Sequence, residues 1–222
     1  MPGRILPLIT DQIYHIFNRG IDRRPTFTNR LEYKRARESI KFYRVSNPSI
    51  RLSKFLRLEE KRQSEVIYLL QKSKKLVEIA CYCFMPNHFH LILKQKAHHG
   101  ISKFLSNFQN SYTRYFNTRH KRDGSLFMDQ FKAVRVETDE QLLHLSRYVH
   151  LNPHTGYTVK SLFELKRYEW SSFQTYLNKT SDFVETNLVL SFFRNINEYE
   201  KFVFGRADYQ RDLKKIEHLL IE

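Results

Sequence analysis

Two histidines that lie two residues apart form the stretch of this chain with the clearest capacity for chemistry. Residues 76–95, LVEIACYCFMPNHFHLILKQ, alternate as two β-strands joined at an MPN turn. Because successive side chains of a strand point to opposite faces, His88 and His90 share one face, about 7 Å apart along the strand. Phe89 and Leu91 take the opposite face, which is the natural core side. The pattern therefore describes a strand that buries one face and presents two imidazoles from the other.

The pair of histidines has two interpretations. Two histidines at this spacing also occur by chance as hydrogen-bonded structural residues, whereas neutral imidazole is a common ligand of several divalent ions. Two ligands are too few for a closed structural zinc site, which takes four. If a metal binds here, its other ligands come from elsewhere in the chain, and the remaining open positions indicate catalysis.

A predicted helix over residues 139–151 carries a second set of candidate side chains. A T-x-x-Q capping box at Thr138 predicts its start, and Pro153 predicts that it stops just before that residue. Tyr148 and Asn152 lie one turn apart on one face. A tyrosine hydroxyl can be a covalent nucleophile and an asparagine oxygen can bind a metal. The alternative is an exposed polar face with an amphipathic tyrosine, one of 13 tyrosines in the chain.

The charge of the chain favours a polyanionic partner, with nucleic acid ahead of membrane. Lys and Arg number 38 against 23 acidic residues, which gives a net charge of +15. Residues 181–222 are weakly acidic, so the positive excess lies in residues 1–180. Residues 94–122 contain no acidic side chain, and Tyr112, Tyr115 and Phe116 lie among their cations, which predicts a nucleic-acid groove rather than a solvated basic face. The predicted DNA-binding residues are Lys94, Lys96, Lys103, Arg114, Arg119, Lys121 and Arg122.

The remaining elements follow from alternation, helical periodicity and caps. Residues 46–75 are a charged helical insertion, and residues 181–222 are a helical C-terminal appendage to a main domain of residues 1–180. In chain order the pattern predicts a strand at 12–18, a helix after an Asn29 N-cap, the histidine hairpin, a helix at 101–118, a strand at 131–137 and the helix at 139–151.

Cysteine usage and hydropathy predict a soluble cytoplasmic protein. Cys81 and Cys83 lack the spacing of a zinc ribbon or a redox motif, which favours buried core thiols in a reducing compartment. No apolar run approaches the ~18 residues of a membrane span, and the N-terminal residues lack the apolar core of a signal peptide.

Several motifs together resemble one family. The segment MPNHFHL at 85–91 resembles the His-hydrophobe-His motif of the HUH single-tyrosine transposases. RYVHLNP at 147–153 resembles the tyrosine-helix motif of that family, particularly of its REP-associated branch. Tyr-His through Asn-Arg-Gly at 14–20, GSLF at 124–127 and YEWSS at 168–172 match further landmarks in the order of the family.

The resemblance, which spans roughly residues 10–177, implies both a fold and a reaction. The implied fold is α+β, the ferredoxin-like HUH fold, in which helices flank a central antiparallel sheet; the predicted β-α-β-β-α-β order agrees with it. By resemblance, His88 and His90 bind a divalent ion, Mg²⁺ or Mn²⁺, that holds the scissile phosphate. Tyr148 attacks the phosphorus to give a 5′-phosphotyrosine, and Asn152 corresponds to the third ligand of relatives. Imidazole ligands favour manganese over magnesium.

The implied partner is single-stranded or hairpin DNA from palindromic repeats or element ends. Two other functions stay open. One is a replication-initiator or relaxase-like nickase with the same chemistry, against which the Tyr-x-x-x-Asn-Pro context argues. The other is a domesticated DNA-binding protein that no longer cuts. The sequence does not decide between a monomer and a homodimer.

Overall fold

The structure is a computed structural model that describes residues 7–46, 48–178 and 183–207. The strands are β1 (Ile13–Arg19), β2 (Val77–Met85), β3 (His88–Gln95) and β4 (Lys132–Val136). The helices are α1 (Arg30–Tyr43), α2 (Leu52–Phe55), α3 (Glu60–Lys72), α4 (Gly100–His120), α5 (Asp139–Thr155), α6 (Leu162–Lys166), α7 (Phe173–Asn178), α8 (Asn187–Leu190) and α9 (Ile196–Phe204), with a 3-10 turn at Ile21–Arg23. Within the described ranges, no helix has the length and apolarity that crossing a membrane requires.

The four strands form one sheet in the order β2-β3-β1-β4, and each neighbouring pair is antiparallel. With helices after β1 and β3, this is the ferredoxin-like arrangement. The predicted α+β fold with a central antiparallel sheet is therefore confirmed. Because β3 lies between β2 and β1, the histidine strand is an inner strand. His90 stands opposite Cys83 on one side and Phe17 on the other.

Helices α1 and α4 cover the sheet face that carries Phe89. The ring of Phe89 lies 5.2 Å from that of Phe108 on α4, between centroids. Tyr112, one turn further along α4, is fully buried, and its hydroxyl donates to the carbonyl oxygen of Thr26 at 2.5 Å. Phe116 is buried as well. Tyr112 and Phe116 are thus core residues, and the prediction that they belong to a nucleic-acid groove is wrong.

Local hydrogen bonds set the start of α1 and of α5, as the sequence predicts. The Asn29 side chain accepts from the backbone N–H groups of Leu31 and Glu32. The Thr138 hydroxyl accepts from the backbone N–H of Gln141 at 3.1 Å. These caps satisfy donors that a helix N-terminus otherwise leaves unpaired, so both helices begin at fixed residues.

Helix α5 does not stop before Pro153 but continues to Thr155, so the predicted end at Leu151 is wrong. Proline removes one backbone donor from a helix. Two neighbouring bonds hold the last turn: Gly156 N–H donates to the Asn152 carbonyl at 2.8 Å, and the Thr155 hydroxyl donates to the Leu151 carbonyl at 3.3 Å. The extra turn places residue 152 inside the helix rather than in a loop.

The predicted insertion and the predicted C-terminal appendage pack differently against the rest of the protein. In the predicted insertion, α2 buries Leu52 and Phe55, whereas every residue of α3 is at least partly exposed. In the predicted appendage, Tyr199 and Val203 of α9 are fully buried in the same core as the sheet. The described helices of that segment therefore share the core of the main body. The domain boundary at residue 180 stays a prediction.

The two cysteines are buried thiols, in agreement with their predicted place in the core. Burial raises the pKa of Cys81 to about 12, although a hydrogen bond with the Tyr176 hydroxyl lowers it in part. Burial likewise raises the pKa of Cys83. Both groups stay protonated at neutral pH, and this argues against a reactive thiol.

Candidate active site

The structure brings Tyr148 to the two histidines. Helix α5 crosses the sheet face from which both imidazoles project, and the Tyr148 ring meets the His90 ring edge-on with centroids 5.3 Å apart. The His88 and His90 rings lie 5.0 Å apart and are perpendicular to each other. His90 is only 5% exposed, whereas Tyr148 is 39% exposed. The tyrosine is thus open to an incoming molecule while the histidine behind it is held in place.

The two histidines and the tyrosine line one cavity of about 1390 Å³, which we call the tyrosine cavity. The charged residues among its described lining are Arg19, Arg23, Lys132 and Asp129. Because cations outnumber carboxylates on this lining, the tyrosine cavity attracts a phosphodiester.

A neighbouring amide fixes the orientation of His88. The Asn87 side chain donates through Nδ2 to the Arg23 carbonyl at 3.2 Å, and this leaves its Oδ1 facing His88 Nδ1 at 2.7 Å. An amide oxygen accepts only, so Nδ1 of His88 carries a proton, and in the neutral imidazole the lone pair is then on Nε2. A hydrogen bond to the ring nitrogen that does not bind the metal sets the tautomer of metal-binding histidines.

His90 is hydrogen-bonded to a histidine of the neighbouring strand. Nε2 of His15 lies 3.0 Å from Nδ1 of His90, and the two rings are nearly parallel with centroids 5.2 Å apart. Burial lowers the pKa of His15 to about 4, so this imidazole is neutral at pH 7. The ring of Tyr148 lies 6.0 Å from the His15 ring, so His15 belongs to the same cluster.

Asn152, the third predicted ligand, is almost fully buried. Its Oδ1 has no hydrogen-bond partner among the described residues, which is unusual for a buried polar atom. In the described part of the chain, no three His, Cys, Asp or Glu side chains are placed so that they could hold one metal ion together. A third protein ligand would therefore be of another type, and an orphaned amide oxygen fits that need. Asn152 is not among the residues that line the tyrosine cavity, and its ligand role stays a prediction.

The helix that carries the tyrosine is anchored from behind. His150 lies between the Tyr199 hydroxyl, 2.7 Å from Nδ1, and Ser172 Oγ, 2.8 Å from Nε2. Burial lowers the pKa of His150 to about 3, so it is neutral. Arg147 places its guanidinium 4.2 Å from the centre of the Phe202 ring. These contacts join α5 to α9 on both sides of Tyr148.

A second concave surface lies between α1, α2 and α4, and we call it the helical-face groove. Its volume is about 1280 Å³. Tyr115 is the member of the predicted aromatic set that lines it. Its described lining carries no carboxylate and contains the cations Arg35, Arg51, Lys54, Arg57, Lys103, Arg114 and Arg119.

The predicted DNA-binding residues divide between this groove and other places. Lys103, Arg114 and Arg119 line the groove together. Lys96 pairs with a carboxylate, Asp11, at 2.6 Å, and Arg122 donates to Asn117 Oδ1 at 2.6 Å. Lys94 lies on β3, and Lys121 follows the last residue of α4.

Sequence reasoning missed several cations that the fold brings to the two surfaces. Arg51, Lys54 and Arg57 recur every three residues, and this periodicity was a readable signal for one basic helical side. Arg19 lies four residues after His15 on β1, so the two side chains are on the same face of the sheet. That β1 pairs with β3, and so brings Arg19 opposite His88, was not readable from local pattern.

A ferredoxin-like sheet whose histidine strand faces a tyrosine helix agrees with the single-tyrosine transposase class that the motifs resemble. A family model described as IS200-like transposase matches residues 9–152. The chain belongs to the IS200-like transposase family, whose members are enzymes that act on DNA, and the predicted family is confirmed.

Among solved structures, the chain is similar to a REP-associated tyrosine transposase bound to a REP hairpin. The two share 15% sequence identity with a TM-score of 0.55, and the match covers 81% of this chain and 87% of that one. This likeness supports the fold. A comparison with curated proteins finds no match.

Proposed function

We propose that this transposase cuts and rejoins single-stranded or hairpin DNA through a covalent bond to Tyr148. The observation that carries the proposal is the position of Tyr148, edge-on to His90 and partly exposed in a cavity lined by cations. A nucleophile needs access to its substrate, and a phosphodiester needs positive charge beside it. Both conditions meet at this residue.

The proposed cleavage and rejoining need no external energy source. The phenolic oxygen of Tyr148 forms a bond to phosphorus while the bond from phosphorus to the 3′ oxygen of the preceding nucleotide breaks. The phenolic proton is lost to solvent, and the departing 3′ oxygen takes up a proton to become a hydroxyl. A 3′-hydroxyl of another end attacks the 5′-phosphotyrosine in the reverse step. The energy of the phosphodiester is thus kept in the covalent bond.

We propose that His88, His90 and Asn152 hold a divalent ion, Mg²⁺ or Mn²⁺. Nε2 of His88, whose Nδ1 is hydrogen-bonded to Asn87, and the orphaned oxygen of Asn152 have the donor chemistry that such an ion takes. A bound ion polarises the scissile phosphate and offsets the charge that develops on it. The cations that line the tyrosine cavity orient the phosphate and hold the strand beside the phenol.

The helical-face groove contributes affinity for DNA in this proposal. Its described lining contains seven cations and no carboxylate, which suits the binding of a phosphate backbone. Tyr115 offers an aromatic face for stacking. The structural relative is bound to a REP hairpin, which supports hairpin DNA as the class of substrate. A palindromic repeat or an element end has the required form.

The test is a covalent-adduct assay with hairpin DNA, manganese and the full chain. In a 5′-phosphotyrosine, DNA labelled at its 3′ end stays on the protein after denaturation, whereas a 5′ label leaves with the released fragment. We expect this labelling pattern for the wild type and no adduct for Tyr148→Phe. Tyr157→Phe removes the other tyrosine that lines the cavity and should still form the adduct.

Each other result points to a different function. An adduct that survives Tyr148→Phe and disappears in Tyr157→Phe would place the nucleophile at Tyr157. Salt-sensitive binding with no adduct for any hairpin would favour the domesticated DNA-binding protein. Adduct formation without transfer to a second DNA end would favour a replication-initiator or relaxase-like nickase.

A further inference from the structure

His15 and His90 are brought together by the pairing of β1 with β3. His15 stands opposite Ile92, two residues from His90, and its side chain lies on the same face of the sheet. The planes of the two rings are 18° apart, and Nε2 of His15 lies 3.0 Å from Nδ1 of His90. At that distance one nitrogen donates a proton and the other accepts it.

The hydrogen bond restricts how His90 can bind a metal. Because Nδ1 faces His15, a metal reaches His90 through Nε2. A neutral imidazole with its lone pair on Nε2 carries its proton on Nδ1. In that arrangement Nδ1–H of His90 donates to Nε2 of His15. In the reverse arrangement, His15 donates and the proton of His90 moves to Nε2, where it blocks the ligand position.

We propose that His15 is a positioning residue that accepts the Nδ1 proton of His90 and so holds its Nε2 lone pair ready for a metal. This inference rests on the metal role of His90 in the proposed function. The other histidine of the motif is prepared in the same way by a different residue, since Asn87 Oδ1 accepts from Nδ1 of His88. The two imidazoles therefore present equivalent nitrogens although their supporting partners differ.

The location of His15 separates this role from ordinary packing. Its ring lies 6.0 Å from the Tyr148 ring and 5.2 Å from the His90 ring, so it neighbours both the candidate nucleophile and the candidate ligand. A residue that served only to join the strands would leave the tautomer of His90 unchanged when replaced. A positioning residue sets that tautomer and, through it, the affinity for metal.

The first measurement is the tautomer of His90 in the metal-free protein, from long-range ¹H–¹⁵N correlation of its ring. The His90 signals are assigned by their loss in His90→Gln. We expect a protonated Nδ1 and an unprotonated Nε2 for the wild type. In His15→Phe we expect the Nε2–H form to gain population. A wild-type His90 protonated at Nε2 would overturn the proposal.

The second measurement is manganese affinity, from the electron paramagnetic resonance signal of free Mn²⁺ during titration of the full chain. Loss of a supporting partner typically weakens metal binding by about 10–100-fold, and we expect this loss for His15→Phe. His15→Gln places an amide group near the position of Nε2 and should restore most of the affinity. His98→Phe, at an exposed loop histidine, is the matched control and should bind manganese as the wild type does.

The outcomes distinguish this inference from the proposed function. Equal manganese affinity in wild type and His15→Phe, or failure of His15→Gln to restore affinity that His15→Phe has lost, would overturn the role of His15. Absence of manganese binding by the wild type would overturn it together with the proposed metal site, while the adduct assay would still report on Tyr148. If the wild type forms no adduct while the tautomer and affinity measurements give the expected results, the role of His15 stands and the proposed cutting is removed.

Discussion

On β3, His88 and His90 project from the sheet face that α5 crosses and have hydrogen-bond partners, whereas Phe89 projects from the face that α4 covers and packs against phenylalanines. His90 meets His15 and Tyr148 on the first side. Phe89, one residue away, meets Phe108 and Phe127 on the second. The same strand therefore separates a polar cluster suited to chemistry from a dry core by the thickness of one backbone.

The comparison shows how one sheet supplies both rigidity and reactivity. The apolar face closes the core under α1 and α4, so the backbone of β3 is fixed from below. The polar face can then carry imidazoles whose partners come from β1 and from the turn before β3. Each side of the sheet also has a surface lined by cations: the tyrosine cavity on the side of α5 and the helical-face groove on the side of α1 and α4. Four predictions test this division.

The largest expected contrast is between two adjacent residues on opposite faces. His90→Ala should lower the rate of adduct formation by about 100-fold or more, because a bound metal supplies several kcal/mol of transition-state stabilisation. Leu91→Ala should instead cost about 2–5 kcal/mol of unfolding free energy, because Leu91 is fully buried. The folded fraction of the Leu91→Ala protein should form the adduct at the wild-type rate.

Urea unfolding and single-turnover adduct formation, measured on both variants, check this contrast. If the loss of adduct in His90→Ala matched a loss of folded protein, the separation of the two faces would fail.

The second prediction concerns acid stability of the polar layer. Because burial lowers the folded-state pKa of His150 from 6.5 to about 3, the unfolded chain binds the proton more readily between these values. The free energy of unfolding should therefore fall as pH decreases from 6.5 towards 3, by about 1.4 kcal/mol per pH unit from this group. His150→Gln removes that contribution and should flatten the profile. Parallel pH profiles for wild type and variant in urea titrations would contradict the assignment.

The third prediction separates the cations of the groove from cations elsewhere. Arg114→Gln with Arg119→Gln removes two groove charges and should reduce the slope of log affinity against log salt by about 1.4–1.8, if each contacts one phosphate. Lys96→Gln with Lys121→Gln removes two charges outside the groove and should change the slope less. Fluorescence anisotropy of a labelled hairpin at several salt concentrations measures both. Equal slope changes for the two pairs would show that the groove has no special part in binding.

The smallest effects are expected at the helix caps of the two layers. Asn29→Ala on α1 and Thr138→Ala on α5 should each lower the free energy of unfolding by about 1 kcal/mol, because each side chain satisfies backbone donors of its helix. Neither should change the adduct rate of the folded protein, since His150 holds α5 independently. A Thr138→Ala protein with native stability and slow adduct formation would show that the cap positions Tyr148.

Local pattern predicted those parts of the molecule that local forces determine. Alternation placed His88 and His90 on one face of the sheet and Phe89 on the other, and the caps at Asn29 and Thr138 marked two helix starts. Burial of Tyr112 was also readable, because Phe104, Phe108, Tyr112 and Phe116 recur every four residues as one apolar stripe.

Long-range pairing determined the rest. The contact between His15 and His90 joins residues 75 positions apart and depends on the choice of β1 as the neighbour of β3. No local signal encodes that choice. The extension of α5 past Pro153 likewise depends on what the last turn can bond to, since propensity would end the helix there.

The bond between His150 and Tyr199 also limits how the gene can be shortened. The family match ends at residue 152, and a fragment cut near that point would lose the hydroxyl that meets His150 and the ring that receives Arg147. A buried imidazole nitrogen would then lack its partner directly behind the tyrosine helix. For expression, fusion or transplantation, the smallest usable unit therefore includes α9, well beyond the segment that the family model matches.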